Sequence, residues 1–137
     1  PFRHLVRTYA DPTELLRFAL ADVPGIAAAF VFGSVARGSP RSESDLDLFV
    51  LAEPALEGNS HILERVLAQR TVEASLSIGR EVNPMVLTAC QLAAKVGDRS
   101  SVYENLVAGP KRWVFGSGAS LRDVRRVMRS KVTKALA

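Results

Sequence analysis

The chain has one cysteine and two histidines in 137 residues. A single thiol cannot close an internal disulfide, and no Cys/His group has the spacing of a zinc site. A reduced, cytoplasmic setting is the expectation that follows. No apolar run approaches the roughly 20 residues that a membrane-spanning helix needs. The best candidate, Val23 to Val35, is interrupted by Pro24, Gly25, Gly33 and Ser34. No membrane partner is expected. Internal repeats and low-complexity stretches are also missing, which excludes solenoids and collagen-like chains. The chain opens at Pro1 rather than Met, and so reads as part of something longer.

What is present is the composition of one globular domain, 47% hydrophobic and 23% charged. A chain of this length buries roughly two-thirds of its unfolded surface, so wholesale disorder is excluded. The net charge of +4 is unevenly spread. Residues 111–137 hold eight basic groups against Asp123 alone, leaving ten basic and thirteen acidic groups in the first 110. The body is therefore −3 and the tail +7. Only the tail has the sign that nucleic-acid phosphates attract.

Asp11-Pro12-Thr13-Glu14 reads as a helix start: a capping carboxylate, a proline where no N–H is needed, then an acid in the first turn. Leu15, Leu16, Ala19 and Leu20 give the apolar stripe, and Pro24-Gly25 ends it. Ile26 to Phe32 is too short for a helix and reads as a strand buried on both faces. Asp45 to Leu51 alternates and then turns apolar, giving a second strand with two carboxylates on one face. Residues 59–78 read as helical, with Ile62, Leu63, Val66 and Leu67 buried and a falter at Arg70 that allows two pieces. Glu81 to Leu87 is a third strand. Thr88-Ala89-Cys90-Gln91 has the capping-box pattern of a short helix, and Ser101-Val102-Tyr103-Glu104 opens another. Arg112 to Phe115 is short and strand-like, and a last helix starts near Ser120. Alternating helices and strands predict an α/β (α+β) domain with a small mixed sheet.

The chemistry lies in Phe30-Val31-Phe32-Gly33-Ser34-Val35-Ala36-Arg37-Gly38 and Ser44-Asp45-Leu46-Asp47-Leu48. A buried strand runs into Gly-Ser, where a missing Cβ lets a phosphate approach backbone N–H groups. Two aspartates on one strand face then repel each other unless a cation neutralises them. Mg²⁺ shared between one or two carboxylates and substrate phosphates is the usual solution. A phosphate cradle beside metal-binding carboxylates points to nucleotide chemistry.

This run resembles the signature of the nucleotidyltransferase superfamily, the DNA polymerase β-like group with its small "minimal" members. Gly33, Ser34, Asp45 and Asp47 match it, with Ala36-Arg37-Gly38 and Ser44 as in the minimal type. The resemblance implies a small mixed sheet of three to five strands with helices mainly on one side. It divides the chain into a leading segment and first helix (1–24), a nucleotidyltransferase-like domain (25–116) and a basic C-terminal helix (117–137). It implies a nucleoside triphosphate held by Gly33, Ser34, Arg37 and Ser44, with Mg²⁺ (or Mn²⁺) on Asp45 and Asp47. A nucleotidyl group would pass to a hydroxyl acceptor that the sequence does not choose.

Members usually carry a third carboxylate on the next strand, and here that place falls at Asn83. Glu81, two residues earlier on the same face, is the candidate base, so Asp45, Asp47 and Glu81 form the expected catalytic set. Gly79-Arg80-Glu81-Val82-Asn83-Pro84 and Gly109-Pro110-Lys111 further resemble a subgroup joined to a winged helix-turn-helix module, annotated among transcriptional regulators. An inactive nucleotide-sensing or assembly domain of such a regulator, with DNA bound through the N-terminal module, is one alternative. An antitoxin that modifies its toxin is another, and homo-oligomerisation stays open. His4 and His61 read as surface residues, Cys90 as a small core residue, and Trp113 as a packing aromatic.

Overall fold

The computed structural model describes residues 11–33, 45–97 and 106–122. Helix α1 (Pro12–Leu20) begins as its sequence dictates. Asp11 caps it, accepting from the Thr13 N–H at 2.9 Å and the Thr13 hydroxyl at 2.5 Å. Those bonds to Thr13 hold the Asp11 carboxyl below its ordinary value. Leu16 and Leu20 are buried. Arg17 pairs with Glu14 and donates to the backbone carbonyls of Val114 (2.9 Å) and Trp113 (3.2 Å).

Four strands follow: β1 (Ile26–Phe32), β2 (Leu46–Ala52), β3 (Val82–Leu87) and β4 (Arg112–Phe115). Their order in the sheet is β3-β2-β1-β4. β1 is antiparallel to β2 and β4, whereas β2 and β3 run parallel. A parallel pair needs a crossover, and α2 (His61–Ile78) provides it. The Glu81 carbonyl accepts from the Leu46 N–H at 2.8 Å. By alternation, the missing N–H of Pro84 then falls on the open side of an edge strand, where it costs no ladder bond.

Helix α2 is one piece. The falter at Arg70 does not break it, because the buried side continues through Thr71 and Ala74. The Thr71 hydroxyl is buried without penalty by donating to the Leu67 carbonyl at 2.7 Å. Ile62, expected inside, is 60% exposed. It sits one residue off the stripe of Leu63, Leu67 and Ala74, about 100° round the helix.

Strand alternation splits the core between the two faces of the sheet. Ala29, Val31, Leu46, Leu48 and Val50 pack with Leu16 and Leu20 of α1 and Leu63 and Leu67 of α2. Ala28, Phe30, Phe49 and Leu51 form the second face, covered by Leu92 and Ala93 of α3 (Ala89–Gly97) and by Leu106 and Leu121. The α3 start is the expected capping box. Gln91 Oε1 accepts from the Thr88 N–H at 3.0 Å, and Thr88 Oγ1 accepts from the Gln91 N–H at 3.2 Å. The mixed α/β domain with a small mixed sheet is thus the observed architecture. Of the helix expected from Ser101 only residues 106–108 are described, and of the one expected near Ser120 only residues 118–122, both helical; the rest of each, and the segment before Asp11, lie outside the described residues.

Candidate nucleotide and metal site

Asp47 is the second residue of β2. Its neighbours Leu46 and Leu48 belong to the helix-covered core, so alternation turns Asp47 to the other face, on the side of Phe49. Asp45, just before the strand, shares that parity and is exposed. Burial pushes the half-buried Asp47 carboxyl above its ordinary value; a hydrogen bond from Asn83 pulls it back, and the Asp45 charge pushes it further up. The two carboxylates therefore sense each other, as their spacing predicts.

β3 supplies the third member. In the parallel register Asn83 lies beside Asp47. Its Nδ2 donates to Asp45 Oδ2 at 3.3 Å. The position where the superfamily resemblance expects a carboxylate is thus occupied by an amide that bonds Asp45 and lies beside Asp47. The start of β3 is itself anchored. Ser75 Oγ accepts from the Val82 N–H at 2.9 Å and donates to the Thr71 carbonyl at 2.6 Å. This anchoring was invisible in the sequence, since a serine in the last turn of a helix carries no such signal.

Gly33 closes the group from β1. Its φ is +78°, a left-handed conformation that favours glycine. A Cβ there would stand 2.7 Å from Asp47 Oδ2. The missing side chain, expected to admit a phosphate, also makes room for the carboxylate. Ser34, Arg37 and Ser44 lie outside the described residues. Glu81 is exposed just before β3, and its backbone carbonyl bonds Leu46. Among the described residues, its carboxylate makes no hydrogen bond to the aspartates.

The donor set, the two carboxylates of Asp45 and Asp47, suits a hard cation such as Mg²⁺ or Mn²⁺ rather than zinc. Among the described residues, no third His, Cys, Asp or Glu completes a cluster with them. Trp113 packs edge-on against Phe30 with ring centroids 5.1 Å apart, in the expected packing role. His61 is exposed as expected, while Cys90 is only half-buried. No described helix is long and apolar enough to cross a membrane.

Comparison with known proteins bears on the family and the fold. The sequence model of a family described as "Polymerase beta, Nucleotidyltransferase" matches residues 15–90, more than half of the chain. No curated protein aligns with the chain at a significant level. Two crystal structures share its fold. One is a toxin–antitoxin with AMP-PNP: TM-score 0.52, 15% identity, covering 90% of this chain and 86% of that one. The other is a mutant of the MntA-HpeT toxin–antitoxin: TM-score 0.56, 12% identity, covering 91% and 89%. In that mutant two aspartates separated by one residue are changed to glutamate.

Proposed function

The chain belongs to the polymerase beta nucleotidyltransferase family, and from that membership we propose that it binds a nucleoside triphosphate with Mg²⁺ (or Mn²⁺) and transfers the nucleotidyl group to a hydroxyl. The carrying observation is the convergence of Gly33, Asp45, Asp47 and Asn83 from three adjacent strands or their ends. Asp45 and Asp47 would hold the cation, which when bound neutralises phosphate charge. The backbone at Gly33 and Ser34 receives the β- and γ-phosphates, with Arg37 and Ser44 as further contacts. Attack by the acceptor hydroxyl forms a new oxygen bond to the α-phosphorus. The bond to the bridging oxygen breaks, and pyrophosphate leaves. The hydroxyl proton goes to Glu81 or to solvent, because an amide at Asn83 cannot take it.

Asn83 also favours a second reading, in which the domain senses nucleotide without turnover inside a cytoplasmic DNA-binding regulator whose winged helix-turn-helix lies elsewhere. The toxin–antitoxin structures that share the fold favour a third reading, in which the chain is an antitoxin and its acceptor a toxin partner. Labelled nucleoside triphosphates with Mg²⁺ or Mn²⁺ separate these readings. Pyrophosphate release with a labelled acceptor, lost in Asp45→Asn/Asp47→Asn, supports transfer. Binding without pyrophosphate, with candidate partner proteins and RNA present, supports the sensor. Equal binding by wild type and the double variant would place the site elsewhere.

A further inference from the structure

We propose that Asn83 makes this a one-cation site, acting as the positioning residue that fixes Asp45 and Asp47 around a single divalent ion. The inference rests on the nucleotide-binding reading above and specifies its metal content.

A carboxylate only accepts hydrogen bonds, so the Asn83 group that meets Asp45 must be its NH₂. That assignment is the one seen, Nδ2 to Asp45 Oδ2 at 3.3 Å. Asp47 is the register neighbour of Asn83 on β2. With its nitrogen turned to Asp45, the amide stands where a third carboxylate would offer oxygen ligands to a second cation. Nitrogen of an amide does not ligate Mg²⁺ or Mn²⁺, and its N–H dipoles repel a cation. A pair of cations about 3.5–4 Å apart also needs carboxylates that bridge them. Among the described residues, Asp45 and Asp47 are the acids at the site, no third acid completes a cluster with them, and Glu81, just before β3, is exposed. The amide relieves part of the repulsion between the two acids without adding charge. The acids stay together before any ion arrives, and their charge matches one divalent ion.

Two features hold the backbone frame around the amide. Val82, the residue before Asn83, is bonded to Ser75 of α2, which fixes the start of β3. On the β1 side, the missing Cβ of Gly33 leaves the space that Asp47 Oδ2 occupies.

The test counts Mn²⁺ bound per chain at saturating α,β-methylene ATP, by equilibrium dialysis and by electron paramagnetic resonance. The free nucleotide is titrated in parallel and subtracted. Wild type is expected to bind one Mn²⁺ with an uncoupled spectrum. Asn83→Asp is expected to bind a second, with the broadened signal of a spin-coupled pair, which a merely structural substitution would not create. Two coupled Mn²⁺ in wild type would overturn the one-cation inference while leaving nucleotide binding intact. Neither Mn²⁺ nor nucleotide bound would overturn both. The wild-type count decides the matter even if Asn83→Asp folds poorly.

Discussion

Gly33 and Asp47 are a matched pair, and each is expected to show it when changed alone. Gly33→Ala places a methyl group where Asp47 Oδ2 now lies and forces a left-handed φ on a residue with a Cβ. The backbone penalty is about 1–2 kcal/mol. Chemical denaturation should show a loss of that size, and metal-dependent triphosphate binding should weaken as the carboxylate is displaced. Asp47→Asn should behave in the opposite sense. An acid whose folded value is raised gives up its proton more readily in the unfolded chain, so the fold loses stability as pH rises above the unfolded value. A neutral amide removes that loss. Without ligand, Asp47→Asn should melt no lower than wild type near neutral pH, while gaining nothing from Mg²⁺ plus triphosphate. A variant markedly less stable than wild type would mean that Asp47 has a structural role beyond the site.

Among the elements, α1 offers the simplest stability test. Asp11→Ala should cost about 1 kcal/mol, the usual worth of such a cap. The Asp11 value is lowered, so its contribution is present above the unfolded value and lost as pH falls through the folded one. The gap between wild type and Asp11→Ala in thermal unfolding should therefore close in acid. Most elements were legible because their signals are local: the Asp11 cap, the Thr88–Gln91 box, the apolar run of β1 and the alternation of β2. The continuity of α2 was not, because Thr71 is polar in composition and becomes a core residue only by bonding its own helix. Asp45, Asp47 and Asn83 could be placed by spacing and resemblance. Sheet order could not, since the β1–β4 pairing joins segments about 80 residues apart, with no turn to fix their register. The bonding of Asn83 to the acids follows from that long-range register and not from its own sequence context.

For the molecule as a whole, the division of charge limits what it can grip. A −3 body attached to a +7 tail should bind duplex DNA only through the tail. Such binding should be weak, indifferent to sequence and steeply weakened by salt. Titrations at several ionic strengths check this, and tight, salt-tolerant, sequence-dependent binding would refute it. The parallel β2–β3 seam has a consequence for time rather than for structure. Two strands in parallel cannot zip from a shared turn, so β3 docks only after the chain has travelled the length of α2. Asn83 is then expected to meet the aspartates late, on the native side of the folding barrier. A bound Mg²⁺–triphosphate should leave the refolding rate unchanged and act wholly on escape from the native state. At a hundred times Kd, unfolding should slow about a hundredfold. Stopped-flow refolding and unfolding with and without the ligand would show it. Equal acceleration of refolding would mean that the seam closes early, and the ligand would then guide the chain into its fold rather than prolong its lifetime there.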